Sequence, residues 1–435
     1  MTFTTTDGVL HAEAVSLEVL ADAVGTPAYV YSTAALTGAY MALADAVAEQ
    51  RHTLGDALIA FAVKACSNLS VLATLARLGC GADTVSEGEI RRALAAGVPA
   101  DRIILSGVGK TDTELAFAVR AGVRQINVES SAELDRLITV VSALKQGGPA
   151  GRPLGQDDRV AIAIRVNPAI GAGGHAKITT GGSGDKFGVP LAEALTLYAR
   201  AAASPHVRPV GLACHIGSQI LDLAPLRAAF ETMRDMTRAL RARGLTVERL
   251  DLGGGLGVAY FGGAQPPTPA EYVALAAEVL DGLDVEAAFE PGRLLAAEAG
   301  VLLTRVIQVN ERSDGRRFLV LDAAMNDLIR PALYDAFHRI LPVRARPGDL
   351  RPYDVVGPVC ETGDTFARDR MLPPLQAGDL VAFMTAGAYG AVMSGEYNSR
   401  PLVPEVLIDG ARWSVVRPRP SYEEMLAKEP LADWL

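Results

Sequence analysis

From about residue 57 this chain of 435 residues repeats one unit, a short apolar, β-branched run followed by a longer stretch of helical periodicity. The runs are Leu58 to Val63, Gly81 to Val85, Arg102 to Ser106, Gln125 to Val128, Val160 to Val166, Val210 to His215, Val247 to Leu252 and Val285 to Glu290. Helical stretches lie between them, among them Asn68 to Leu78, Glu87 to Ala96, Ser131 to Leu144 and Pro225 to Arg243, several opening on Ser, Thr or Asp in capping position. Near-continuous apolar runs are what strands look like when crossover helices bury both their faces. Eight such units over roughly 240 residues match an α/β fold, the (β/α)8 TIM barrel, in number and length.

After about Gly300 the rhythm stops. Short strands with turn signals follow, such as Arg317 to Leu321, Asp379 to Phe383, and Val403 to Ile408 ahead of an Asp409-Gly410 turn. The run Ala28-Tyr29-Val30-Tyr31 stands outside the eightfold count. Residues 34–300 are therefore expected to form the barrel, and residues 1–33 with 301–435 a second, all-β domain of barrel or sandwich type. With 49% of its residues apolar, the chain can fill two cores. The polar, Gly- and Pro-rich segment Gln146 to Asp158 suits an exposed loop inserted within the barrel.

A net charge of -9 without any basic cluster argues against a nucleic-acid surface, so an anionic ligand has to be met by local arginines. No basic, then apolar leader opens the chain, and no stretch of about 18 apolar residues follows, so neither export nor a membrane is expected. Cys66, Cys80, Cys214 and Cys360 are scattered without metal-ligand spacing, which fits no metal site, a reducing compartment and the cytoplasm.

Barrels of this class work at the C-terminal ends of their strands, and here those ends are chemically unusual. Lys64 closes the first run, Asp83 and Ser86 the second, Arg165 and Asn167 the fifth, and His215-Ile216-Gly217-Ser218 the sixth. Gly253-Gly254-Gly255 ends the seventh and Glu290-Pro291-Gly292-Arg293 the eighth. An ammonium at the end of a buried strand is either a cap snorkelling to water or a group whose pKa is depressed for nucleophilic use. The glycines are either a tight turn or a place where backbone N–H groups approach a phosphate, with Gly217-Ser218 as a second donor set. His215 is either a satisfied core histidine or a ring that stacks on a ligand.

Two nucleotide motifs fail on spacing. Val258 stands where a dinucleotide fingerprint needs glycine, and Ile104 where a P-loop ending in Gly109-Lys110-Thr111 does, so the latter is expected to be a surface loop. A phosphate cradle, a nucleophilic lysine and the carboxylate of Glu290 instead suggest pyridoxal 5'-phosphate, held by its phosphate, its aldehyde and its ring nitrogen. A carboxylate beside that nitrogen keeps it protonated and makes the ring an electron sink.

Six ordered motifs then carry a resemblance over nearly the whole chain. They are Phe61 to Ala65, His215 to Gln219, Gly253 to Gly257, Glu290 to Arg293, Met325 to Tyr334 and Gly357 to Asp364. The chain resembles the fold-type III pyridoxal-phosphate-dependent decarboxylases, and among them the diaminopimelate decarboxylases. The resemblance implies Lys64 as the Schiff-base lysine and Cys360 as proton donor, with Lys64 the other candidate for that proton. It implies cofactor contacts from Asp83, Arg165, His215, Ser218, Gly254, Glu290, Pro291, Gly292, Arg293 and Tyr389. It implies substrate contacts from Arg293, Arg330, Tyr334, Glu361 and Tyr389. In this family the Cys360 segment reaches into the neighbouring subunit's site, so a homodimer with shared active sites is implied.

The activity implied is decarboxylation of meso-2,6-diaminopimelate to L-lysine. Arg293 and Arg330 suit a distal carboxylate and Glu361 a distal ammonium, while Arg330 and Tyr334, four apart, share a helix face. Arg330 as a mere salt-bridge partner is the bland alternative. Other substrates (D-ornithine, D-lysine, a carrier-linked amino acid), a racemase, or a non-catalytic regulatory homologue are the competing functions. Two departures from the family pattern stand out, Asp185 in place of serine before Lys186-Phe187-Gly188 and Glu87 in place of glycine after Ser86. The first bears on how a mobile loop would close over substrate.

Overall fold

The computed structural model of the protein describes residues 2–146, 155, 158–171, 180–182, 184–260 and 265–435. Residues 147–154, 156, 157, 172–179 and 183, on which the expectations of an exposed insertion and of a closing loop largely rest, lie outside the described residues. The chain divides into two compact units, Thr37–Ala259 with Ala264–Leu295, and Met1–Leu36 with Tyr260–Gly263 and Ala296–Leu435.

In the first unit every expected run is a strand. They are β1 (Leu58–Ala62), β2 (Gly81–Thr84), β3 (Ile103–Leu105), β4 (Gln125–Val128), β5 (Val160–Asn167), β6 (Val207–Ala213), β7 (Arg249–Asp251) and β8 (Glu286–Phe289). Neighbours run parallel, β4 joins β5 and β8 returns to β1, so the sheet closes on itself as a TIM barrel. A two-residue strand, Val189–Pro190, pairs with the end of β5.

The crossover helices form for local reasons. Asn68, Ser86, Ser130 and Asp222 cap helix starts through their side chains, and Thr111 with Glu114 and Thr268 with Glu271 make reciprocal capping boxes. Each such cap is worth about 1 kcal/mol. Helix Leu223–Arg241 buries Leu226, Ala229, Phe230, Met233, Met236, Thr237 and Leu240, a single face at three- and four-residue spacing.

Strand register decides what the barrel mouth contains. Leu58, Ala60, Ile104 and Ala288 pack together as a small apolar floor. Side chains alternate faces along a strand, so the second residue beyond each floor position turns inward as well. The pairings Ala62↔Asp83, Asn127↔Ala163 and Ala213↔Asp251 carry Asp83, Asn127 and Asp251 onto that inward face, with Arg165 two residues beyond Ala163. Glu129, His215 and Glu290 continue the alternation at the C-terminal rim.

The Gly109-Lys110-Thr111 segment is not the expected surface loop at its centre. Lys110 is buried, its Nζ 2.6 Å from Glu133 Oε1 and donating to the carbonyls of Gly107 and Asn127 at 2.7 Å each. A buried acid on the following helix and two carbonyls satisfy the ammonium completely, which the local sequence does not reveal.

The second unit is predominantly β. Its longest strand, Gly300–Glu311, pairs antiparallel with Arg317–Leu321, Leu380–Phe383 and Ala28–Ser32. The N-terminal strand Ala28–Ser32 thus sits between Gly300–Glu311 and the parallel strand Glu405–Asp409. Leu10, Leu17, Leu20, Val30, Val301, Leu303, Val406 and Ile408 form the core beneath. A three-stranded sheet of Phe3–Thr6, Val9–Ala12 and Val15–Ser16 escaped the sequence analysis, although Asp7-Gly8, both at positive φ, is a standard hairpin turn. Its threonine-rich first strand lacks an apolar face to announce it.

Candidate active site

Just past β1 the chain tightens into a 3-10 turn, Val63–Ala65, which holds Lys64 at the rim. Lys64 Nζ donates to Asp83 Oδ2 at 3.0 Å; the lysine side chain is 36% exposed and the aspartate fully buried. Lys64 is therefore paired at the mouth and is not a strand cap snorkelling to water. Nearby, the Ala62 N–H donates to Pro291 O at 3.0 Å and the Glu290 N–H to Gly253 O at 2.8 Å, which binds the ends of β1, β7 and β8 to one another.

Three buried carboxyl groups meet below Lys64. Asp251 accepts from Asn127 Nδ2 at 2.8 Å and from the Gly253 N–H at 3.0 Å, and it shares a hydrogen bond with Glu290. Glu290 Oε1 and Asp83 Oδ1 are buried without a hydrogen-bond partner among the described residues. Burial drives the Glu290 carboxyl well above the usual range, the charges of Asp251 and Asp83 drive it further, and Lys64 only partly opposes them.

A protonated ring nitrogen donating to Glu290 Oε1 would satisfy that oxygen and offset the excess of negative charge. The pyridoxal phosphate implied by the sequence fits this floor.

His215 is neutral. Burial and then the charges of Lys64 and Arg165 hold its pKa well below the ordinary histidine value. Its Nδ1 accepts the Gly254 N–H at 3.2 Å, so the proton resides on Nε2. The glycine run has a cause beyond turn or phosphate. A Cβ at Gly253, Gly254 or Gly255 would come within 2.3, 2.1 and 2.3 Å of the carbonyls of Cys214, Glu290 and Gly217, none of which can yield. With Pro291 and Gly292, these glycines line one cleft.

Arg293 is buried and donates to Ser218 Oγ at 3.0 and 3.3 Å, joining two predicted contacts. Arg165 is held differently. Its Nη1 lies 2.9 Å from the buried Glu129, and its guanidinium sits over the Phe187 ring at 5.1 Å. Glu129 also accepts the Gly107 and Gly188 N–H groups. Glu129, Asn127 and Asp251 were not among the site residues expected from the sequence. The signal was available, since polar residues recur every second position in Gln125-Ile126-Asn127-Val128-Glu129.

The remaining candidates belong to the β unit. Arg330 opens the short helix Arg330–Tyr334, with Tyr334 one turn on. Arg330 is 6% exposed; its Nη1 lies 2.9 Å from His338 Nε2, and its guanidinium sits 4.8 Å from the Tyr260 ring. Tyr389 adopts φ +56° beside Gly387 and Gly390, an uncommon conformation for a bulky residue. Cys360 and Glu361 are exposed between the strands Arg351–Val356 and Thr365–Leu372. The Cys360 N–H donates to Asn398 Oδ1 at 3.1 Å, and a hydrogen bond to Glu361 raises the Tyr397 hydroxyl pKa. Tyr397, Asn398, Tyr260 and His338 had no motif to mark them. All four cysteines are free thiols, and no cluster of metal-ligating side chains occurs among the described residues.

The profile of the pyridoxal-dependent decarboxylase family, pyridoxal binding domain, matches residues 42–297. Over 434 residues the chain is 44% identical to the diaminopimelate decarboxylase of Zymomonas mobilis, covering 100% of this chain and 99% of that one. It is 46% identical over 430 residues to that of Pseudomonas aeruginosa, covering 99% of each. The structure of diaminopimelate decarboxylase from Helicobacter pylori complexed with L-lysine matches at a TM-score of 0.88 and 38% identity, covering 95% of this chain and 99% of that chain. The cofactor of such a chain is pyridoxal 5'-phosphate. Likeness at this level along both units is common descent, and the chain belongs to the diaminopimelate decarboxylase family of the pyridoxal-dependent decarboxylases.

Proposed function

We propose that the protein removes carbon dioxide from the D-configured centre of meso-2,6-diaminopimelate and releases L-lysine. The observation that carries this reading is Glu290, a buried carboxyl with an unpartnered oxygen at the floor of the barrel mouth. A racemase of this fold weakens the electron sink with an arginine at that position, and Glu290 does the opposite. When bound, pyridoxal phosphate supplies the sink for the electron pair that the departing carboxylate leaves behind.

The chain's own residues then divide the work. Lys64 would hold the cofactor aldehyde, with Asp83 keeping its ammonium at the mouth. Gly254, Ser218 and the Pro291 to Arg293 turn would take the phosphate end, His215 the ring face and Tyr389 the second side. Glu290 would hold the ring-nitrogen proton, and Asp251 would brace Glu290. Arg165, already neutralised by Glu129, would contribute by position more than by charge.

At the far end, Arg293 and Arg330 would bind the distal carboxylate, Glu361 the distal ammonium, and Tyr334 and Tyr389 the flanks. A substrate with only an ammonium there would set a cation against these two guanidinium groups, which disfavours it. The Cys360 thiol would deliver a proton to the carbon that lost carbon dioxide, with Lys64 Nζ as the other source.

The exposure of Cys360 and Glu361 supports their acting in the site of a second copy, in a homodimer whose β units supply substrate contacts and interface. No described helix is long and apolar enough to cross a membrane, and four free thiols suit the cytoplasm. Purified protein supplied with pyridoxal phosphate should release carbon dioxide and L-lysine from meso-diaminopimelate, but not from the LL isomer. Turnover of D-lysine or D-ornithine in preference to it would overturn the substrate assignment.

A further inference from the structure

Cys360 and Glu361 are exposed, yet the loop that carries them is firmly held. The buried carboxyl group of Asp364 accepts the Val359 N–H and the Met325 N–H at 2.7 Å each, which fixes the base of the loop. Its tip is held by another segment. The Cys360 N–H donates to Asn398 Oδ1 at 3.1 Å, and the Tyr397 hydroxyl donates to the Glu361 carboxylate. Two consecutive residues of one 3-10 turn, Tyr397–Ser399, thus hold two consecutive residues of the loop.

The turn is itself anchored at both ends. Before it, Asn326 Nδ2 donates to Gly395 O at 2.8 Å and the Gly395 N–H donates to Asn326 O at 3.0 Å; after it, Arg400 donates to Asp322 O. Between these anchors Asn398 and Ser399 both adopt left-handed backbone, at φ +56° and +55°, which non-glycine residues rarely do in succession. Asparagine tolerates that conformation, and its side-chain oxygen is the atom that meets Cys360.

An exposed glutamate samples several rotamers, and fixing one of them costs entropy each time a ligand is bound. A hydroxyl already bonded to one carboxylate oxygen meets that cost in advance and leaves the other oxygen for an ammonium. A thiol that delivers a proton must stand within hydrogen-bond reach of the atom that receives it, so the backbone at Cys360 must not drift. We propose that Tyr397 and Asn398 are positioning residues: one turn fixes Glu361 and Cys360 relative to each other, so that ammonium acceptor and proton donor enter a second copy's site as one rigid unit. This rests on the reading of Cys360 and Glu361 as site residues.

The test compares Cys360→Ala, Glu361→Gln, Tyr397→Phe, Asn398→Gly and Asn398→Asp in the holoenzyme. Tyr397→Phe removes only the hydroxyl. It should raise KM for meso-diaminopimelate and the inhibition constant of L-lysine together by roughly twofold to tenfold, the span of one exposed hydrogen bond, with kcat within about twofold. Asn398→Gly keeps the left-handed backbone and removes the acceptor, so kcat should fall by roughly tenfold while KM stays within about twofold. Asn398→Asp, which restores an acceptor oxygen, should recover most of that loss. Pyridoxal phosphate affinity and the sedimentation behaviour of the protein should not move in any of them.

Independently of turnover, amide hydrogen exchange in the peptide spanning residues 357–364 of the cofactor-free protein should accelerate in Asn398→Gly and not in Asn398→Asp. Tyr397→Phe, altered at an exposed hydroxyl, serves if Asn398→Gly does not fold. If Cys360→Ala leaves kcat unchanged, or Glu361→Gln leaves KM and lysine inhibition unchanged, the site reading of that residue fails. If both act as site residues while Tyr397→Phe and Asn398→Gly behave as wild type, the positioning inference alone is overturned. It is overturned equally if the two variants change kcat and KM alike, or if Asn398→Asp is as damaging as Asn398→Gly.

Discussion

Glu290 and Asp251, on neighbouring strands of the barrel, share a hydrogen bond between their carboxyl groups, and Asp251 in turn accepts the N–H of Gly253. The floor that would meet a ring nitrogen and the glycine turn that would meet a phosphate are thus braced by one side chain. Two carboxyls so placed titrate as a pair, with one proton retained well above the usual range. Glu290→Gln keeps the shape but removes the acceptor charge. It is expected to lower kcat by roughly tenfold to a hundredfold, the effect of one charge-assisted hydrogen bond, and to weaken pyridoxal phosphate binding in a fluorescence titration. Unchanged kcat would remove Glu290 from the ring nitrogen.

Lys64→Ala should abolish the yellow absorbance of the cofactor-loaded protein and the borohydride-reducible adduct, found by mass spectrometry on the peptide containing residue 64. Turnover should fall by about 10³-fold or more, as for loss of a covalent catalytic group. An adduct that persists on another lysine would reassign the role.

Lys110 tests the same physics with the opposite outcome. Its ion pair with Glu133 is almost wholly buried, so Lys110→Met leaves an uncompensated acid and should cost about 3–5 kcal/mol in urea unfolding. Lys110→Met combined with Glu133→Leu should recover most of that. Cofactor affinity should hold throughout, because Lys110 is a structural residue.

Burial pushes the Glu89 carboxyl up to about 7, with Asp83 adding to it and the Val85 N–H, Lys64 and Arg92 opposing. A carboxyl raised on folding stabilises the protonated folded state, and that contribution is lost as pH rises through the folded value. The cofactor-free protein should therefore unfold at a lower urea concentration at pH 8 than at pH 6.5, and Glu89→Gln should flatten this slope. Below about 6.5 the trend is opposed, since His215 is held neutral in the folded state and charges on unfolding. A slope identical in Glu89→Gln would place the titration elsewhere.

If Cys360 serves a second copy's site, mixing inactive Lys64→Ala and Cys360→Ala proteins should restore activity. Random pairing gives half heterodimers with one intact site of two, hence about a quarter of the wild-type rate. Mixtures as inactive as their components would show that each chain is self-sufficient.

The sequence by itself determined the eight strands, because a strand buried on both faces leaves a continuous apolar run. It marked Lys64, His215, the Gly253 to Gly255 turn and Glu290, because chemistry at a barrel mouth has to stand where those runs end. It read Lys110 only as part of a surface loop, because nothing in the local chain names the acid that encloses it. Only the tertiary structure showed that one ammonium lies at the open mouth with Asp83 and the other is enclosed with Glu133.

Asn127, Glu129 and Asp251 are defined by cross-strand register, which no stretch of chain encodes locally. His338 and Tyr260 reach Arg330 from eight and seventy residues away, a distance only the folded chain closes. Hydrophobic periodicity is written along the chain, so it can be read there. The partners that set charge, tautomer and proton position are chosen in space, so the fold decides them.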